Sequence, residues 1–168
     1  MDVKRACVAA AVLVLAGCGG SGSSGPPVLQ GQLLVKIKVI KHGGQVLALV
    51  PVTINGKGPW AFALDTGASQ SLVDSQVAKE LRVRTTGAKQ KIAGVTKVAR
   101  VGAIRVTDWR VGRVKLPPTT VVEANLPFGN ADGGIQGLLG SDMLSDFDVI
   151  TIDYAHSRLL LHHRSVHS

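Results

Sequence analysis

Asp65 is the residue of this sequence best placed to do chemistry. It closes the apolar run Ala61-Phe62-Ala63-Leu64 and is followed by Thr66-Gly67-Ala68-Ser69. A short apolar run reads as a buried strand, and Gly67 permits a sharp turn with close approach of another group. A carboxylate at the end of such a strand is costly to bury unless it is hydrogen-bonded, paired or used. Held there, it can take a proton from water or hand one on. The alternative for these residues alone is an Asx-type turn carrying a solvated aspartate.

Other chemistries have less support. His42, His156, His162, His163 and His167 show no metal-ligand spacing with a Cys or Glu, so no metal and no cofactor is expected. Gly-Ser fragments such as Gly20-Ser21-Gly22 lie in a linker, outside the strand-turn-helix setting that a serine nucleophile needs. The formal charge is +8, and the eleven basic residues from Lys79 to Lys115 face only Glu80 and Asp108 within that stretch. Such a segment could attract acidic substrates or anionic headgroups, but solvation of a sheet face explains it more simply. No motif or aromatic platform supports nucleic-acid binding.

The elements around Asp65 read as mainly β. Leu34 to Ile40 alternates, with Val35, Ile37 and Val39 on one face. Val46 to Val50 reads as a strand, and Val50 to Ile54, Asn55-Gly56 and Lys57 to Leu64 form a hairpin that delivers Asp65, since Asn-Gly suits a tight β-turn. Pro51 belongs at an edge or a strand start. Ser71 to Val73 extends as a short strand, and Asp74 or Ser75 caps a helix to about Leu81 with Val77, Ala78 and Leu81 inward. Ala103 to Val106, Trp109 to Val114 and Thr119 to Glu123 are further strands, with Trp60 and Trp109 as packing residues. Ser141 or Asp142 caps a short helix from Met143 to Phe147. A terminal hairpin then joins Val149–Tyr154 to Arg158–His162. Asp142, Asp146, Asp148 and Asp153 lack the strand-and-glycine setting of Asp65 and read as caps or solvent-facing groups.

The segment Ala61 to Ser69, together with Gly137-Leu138-Leu139-Gly140, resembles the active-site signature of retropepsin-like aspartic proteases. The resemblance covers roughly Leu49 to Leu161 and implies a single-lobe acid-protease fold, a closed β-barrel with one or two short helices. It implies that Asp65 is catalytic, that Thr66 braces the opposite loop, and that Gly67 offers its backbone to substrate. Ala68 and Ser69 complete the active-site loop, and Leu138, Leu139 and Gly140 wall it. Ala93-Gly94-Val95-Thr96 matches by position the flap hairpin that closes over substrate. Ala68 stands where pepsin-type enzymes carry a hydroxyl, which predicts a milder working pH.

One Asp-Thr-Gly per chain of 168 residues supplies half of an aspartate dyad, so the resemblance implies a homodimer acting on peptides or proteins. Residues 1–17 read as a lipoprotein signal: Lys4 and Arg5, an apolar Ala6–Ala16, then Leu15-Ala16-Gly17-Cys18, whose cysteine would carry lipid. Residues 18–32 form a Gly/Ser/Pro tether and 33–168 the protease domain. This places the protein in a bacterial cell envelope, lipid-anchored and facing the periplasm, the outer membrane being favoured. Without Cys7 and with Cys18 lipidated, no disulfide is available to the domain. The rival class is a non-catalytic, protease-like binding or scaffold module, against which the intact Asp65-Thr66-Gly67 argues.

Overall fold

The computed structural model describes residues 32–42, 44–83, 102–126 and 134–163. The expected signal segment, Cys18 and nearly all of the expected tether lie outside the described residues. Twelve strands and two short helices follow in chain order: β1 (Gln32–Lys36), β2 (Lys38–His42), β3 (Gln45–Ile54), β4 (Lys57–Leu64), β5 (Leu72–Asp74), α1 (Ser75–Leu81), β6 (Gly102–Val106), β7 (Trp109–Val111), β8 (Val114–Lys115), β9 (Thr119–Ala124), β10 (Gly137–Leu139), α2 (Ser141–Leu144), β11 (Phe147–Asp153) and β12 (Arg158–His163). They form a three-stranded sheet in the order β1-β12-β11 and a nine-stranded sheet in the order β6-β9-β5-β10-β4-β3-β7-β8, with β2 also on β3. The large sheet curls as a half-barrel. Its end strands β6 and β8 are not paired to each other.

Alternation decides which residues enter the main core. Along β3 and β4, Ala48, Val50, Val52, Ile54, Trp60 and Phe62 join it with Val73, Ile104, Trp109, Val121, Leu139 and Met143, while Leu49 and Ala63 are buried on the other face. Trp109 is wholly buried, and its indole Nε1 donates to the Pro117 carbonyl at 2.8 Å, so its polar edge is satisfied. The hairpin turns at Asn55 (φ 50°) and Gly56 (φ 72°), the pair of positive angles that a tight hairpin turn requires.

Three sequence expectations change. The run from Leu34 to Ile40 is two strands, because the chain leaves one sheet for the other at Ile37, whose N–H donates to Ser157. The run from Trp109 to Val114 is a hairpin, folded at Gly112-Arg113 so that Val111 faces Val114. Pro51 is at neither an edge nor a strand start. It lies inside β3, where β2 pairing ends at Leu49 and β7 pairing begins at Val52. Its carbonyl accepts from Gly112 N–H on that flank, so its missing N–H faces the same interruption and orphans no partner.

Helix α1 starts as expected: Asp74 Oδ1 accepts from Gln76 N–H at 2.8 Å, and Val77, Ala78 and Leu81 are buried. Asp74 is itself buried, and its Oδ2 accepts from Leu126 N–H at 2.9 Å. Helix α2 differs, spanning Ser141–Leu144 with Gly140 at its N-cap and no side-chain cap, while Phe147 opens β11.

Asp153 is neither a helix cap nor simply solvent-facing. It closes the β11–β12 hairpin by accepting from Arg158 at 2.8 Å, from His156 N–H at 3.0 Å, and from the His156 ring. The Arg158 bond, reinforced by His156 and opposed by burial, lowers the Asp153 pKa to about 2. A carboxyl depressed in the folded state stabilises it above the unfolded pKa of about 4. That contribution is lost as pH falls through about 2. Asp153→Asn is therefore expected to lower the urea midpoint at pH 7 and to flatten its decline between about pH 4 and pH 2, as denaturation series at several pH values would read directly.

Candidate active site

Asp65 leaves the end of β4 with its backbone N–H donating to Leu139 of β10 at 3.0 Å. Its Oδ1 accepts from Gly67 N–H at 2.9 Å and its carbonyl from Ala68 N–H at 3.2 Å, an Asx-type turn with an exposed carboxylate. Thr66, Gly67 and Ser69 are exposed and Ala68 is half-buried. Within one chain, the burial that the preceding strand suggested does not reach Asp65 itself.

The loop is placed by a crossing. β4 and β5 are consecutive in the chain, yet β10 runs between them, parallel to β4 and antiparallel to β5. The loop from Asp65 to Gln70 must therefore arch over the end of β10, where Gly140 and α2 begin. Gln136 locks the start of β10 between its neighbours: it exchanges bonds with Ala61 through its own N–H and Oε1, and its carbonyl accepts from Asp74 N–H.

Helix α2 pins the loop from below. Ser141 donates to the Ala68 carbonyl through both N–H (2.8 Å) and Oγ (3.0 Å). Ser71, wholly buried, donates from Oγ to Asp142 Oδ1 at 2.7 Å and from N–H to Oδ2 at 3.0 Å. Ser71 Oγ in turn accepts from Gly140 N–H at 3.0 Å. Asp142 is thus neither the helix cap nor the solvent-facing acid expected from its position. Ser71, Gln136, Ser141 and Asp142 were not visible as a set in the sequence, because each finds its partner some seventy residues away.

Gly140 has a steric reason to be glycine: a Cβ there would lie 2.8 Å from the Ala68 oxygen and from the Gln70 carbonyl carbon. Both are backbone atoms, so the loop would have to move. Gly140→Ala is expected to cost about 1–3 kcal/mol and to lower any activity that depends on the loop. Thermal unfolding and turnover of one preparation would test both.

The two leucines of β10 part company. Leu139 is buried in the core at 1% exposure, while Leu138 is half-buried on the opposite face. Cross-strand register puts Leu138 in a row with Leu72 on one side and Ala63 and Leu49 on the other. Asp65, two residues beyond Ala63, follows that face by strand alternation. The expected wall residues therefore divide: Leu138 flanks the loop, Leu139 anchors it through its carbonyl, and Gly140 admits it. Ala93, Gly94, Val95 and Thr96, the expected flap, lie outside the described residues.

An aspartate turn held over a β10 crossing, on a single curled β lobe with two short helices, defines the retropepsin-like acid-protease class. The family model described as aspartyl protease matches residues 50–143, more than half of the chain, and the chain belongs to that family. Among solved structures it is similar to a retropepsin-like aspartic protease from Rickettsia conorii, with a TM-score of 0.52 and 18% identity over 78% of this chain and 90% of that one. It is also similar to the retroviral protease-like domain of Ddi1 from Leishmania major, with a TM-score of 0.47 and 17% identity over 71% of this chain and 96% of that one. No curated protein sequence matches.

Proposed function

We propose that the protein is an aspartic endopeptidase whose catalytic dyad is built from Asp65 of two copies. The observation that carries this reading is an exposed Asp65 on a loop fixed by backbone bonds at both ends, in a sequence with a single Asp-Thr-Gly. The two acids on elements flanking the loop, Asp74 and Asp142, are committed to backbone N–H groups and are poor substitutes. A two-fold partner would bring an identical carboxylate alongside.

Two carboxylates in contact cannot both ionise and so share one proton, and the pair titrates as a unit. The ionised member takes a proton from a water molecule held between them. The water oxygen attacks the peptide carbonyl carbon, while the protonated member gives its proton to the carbonyl oxygen. The tetrahedral diol collapses as the carboxyl that took the water proton gives it to the leaving nitrogen and the C–N bond breaks. The other carboxylate takes a proton from a diol hydroxyl, which restores the singly protonated pair. Fixing the Asp65 loops in place converts this into a pre-oriented reaction. In this reading Thr66 braces the facing loop, Gly67 presents backbone to the substrate, Leu138 forms an apolar wall, and Ala93–Thr96 close over the peptide.

The anchor reading completes the proposal. A lipid on Cys18 and a Gly/Ser tether would hold copies on one face of a bacterial envelope membrane, raising the effective concentration for pairing. The test is cleavage of a peptide library by the full chain in detergent, with a transition-state-mimicking inhibitor as control and mass measurement alongside. Cleavage by a strict monomer would refute the shared dyad.

A further inference from the structure

A groove of about 290 Å³ opens where β1 passes into β2, lined by Lys36, Lys38, Pro51, Pro59, Trp60 and Ala61 among others. Apart from the two lysines every lining residue is apolar. Lys36 and Lys38 are exposed, and neither ammonium group has a hydrogen bond or ion pair among the described residues. Two cations with no partner among the described residues thus rim an apolar floor that offers them no counter-ion.

The groove lies on the face that carries the Asp65 loop. Register runs from Leu138 through Ala63 and Leu49 to Lys38, all on the side of the large sheet opposite the main core. Ala61, in the groove, precedes Asp65 by four residues on β4, about 13 Å along a strand. An extended peptide rises by the same step per residue, so side chains some three to five positions from a bond at Asp65 come within reach.

We propose that this groove is a distal substrate subsite that takes an acidic side chain, its carboxylate between Lys36 and Lys38 and its stem on Pro51, Pro59 and Ala61. The proposal rests on the endopeptidase reading. Charge complementarity selects an acid, and a place on the same sheet face as the Asp65 loop, with Leu49 and Ala63 buried between them, selects the bound peptide over a separate partner. A two-fold dimer would carry one such subsite at each end of its cleft.

The test pairs a cleavable peptide carrying Glu at each distal position in turn with its Gln counterpart, using the full chain in detergent. At the position that reaches the groove, Glu is expected to lower KM about three- to tenfold with kcat little changed. The advantage should fade with salt. The double variant K36E/K38E should lose it and prefer Lys there, and both positions are exposed, so folding should survive. Isothermal titration calorimetry with the acidic peptide and its Gln counterpart gives a readout independent of cleavage. If no peptide is cleaved the endopeptidase reading fails, and the calorimetric titration still decides the groove. Equal KM for Glu and Gln overturns the proposal, as does a preference that survives K36E/K38E. It is likewise overturned if charge reversal leaves peptides untouched but weakens binding to phosphatidylglycerol vesicles, which would assign the lysines to a membrane surface.

Discussion

Asp65→Asn is expected to reduce peptide cleavage by roughly three to four orders of magnitude, as loss of a general acid–base group does, with the fold intact. The amide keeps an Oδ1 that can accept from Gly67 N–H, the single side-chain bond that Asp65 makes among the described residues. At an exposed position the stability change should stay within about 0.5 kcal/mol. Mixing experiments then separate a shared dyad from two independent sites. When wild-type and Asp65→Asn chains exchange freely at equal amounts, random pairing leaves about a quarter of the dimers with both carboxylates. Activity should fall to that level, whereas sites complete within one chain would retain about a half. Unchanged cleavage by Asp65→Asn would remove this residue from the mechanism.

What was legible in the sequence was local. The β3–β4 hairpin could be read because Asn55-Gly56 fixes the turn and alternation fixes the face. The α1 cap could be read because Asp74 and Gln76 are two residues apart. The aspartate turn at Asp65 was visible for the same reason. What was not legible depends on strands that meet across the chain. Nothing around Ile37 signals that β1 will pair with β12 while β2 pairs with β3. Pro51 looked like an edge marker because the interruption it occupies belongs to its neighbours β2 and β7. Asp142 sits where a helix cap is expected, and only the β10 crossing brings Ser71 beneath it. A polar residue at a helix start has two uses, and local sequence cannot choose between them.

That second use carries the other large effect. Asp142→Ala would leave Ser71 N–H, and the Oγ proton, without acceptors at a wholly buried position. Orphaned buried donors cost about 1–3 kcal/mol each, and some water can reach the half-buried Asp142 site, so a loss of about 2–4 kcal/mol is expected. Asp142→Asn should lose less, because its Oδ1 can still accept from Ser71 N–H while the amide nitrogen meets Ser71 Oγ. Ser71→Ala should fall between, orphaning Gly140 N–H and leaving Asp142 one donor. If the clamp also sets the Asp65 loop, kcat should fall in the order Asn, Ser71→Ala, Asp142→Ala, with KM changing less, because the bonds from Ser141 to Ala68 depend on where α2 begins. Urea titrations give the first ranking and initial-rate kinetics well below the unfolding midpoint give the second. Matching rankings make Asp142 a positioning residue for the aspartate turn. Full kcat in a destabilised Asp142→Ala would confine the clamp to holding β5 and α2 together and leave Ser141 and Gly140 to hold the loop.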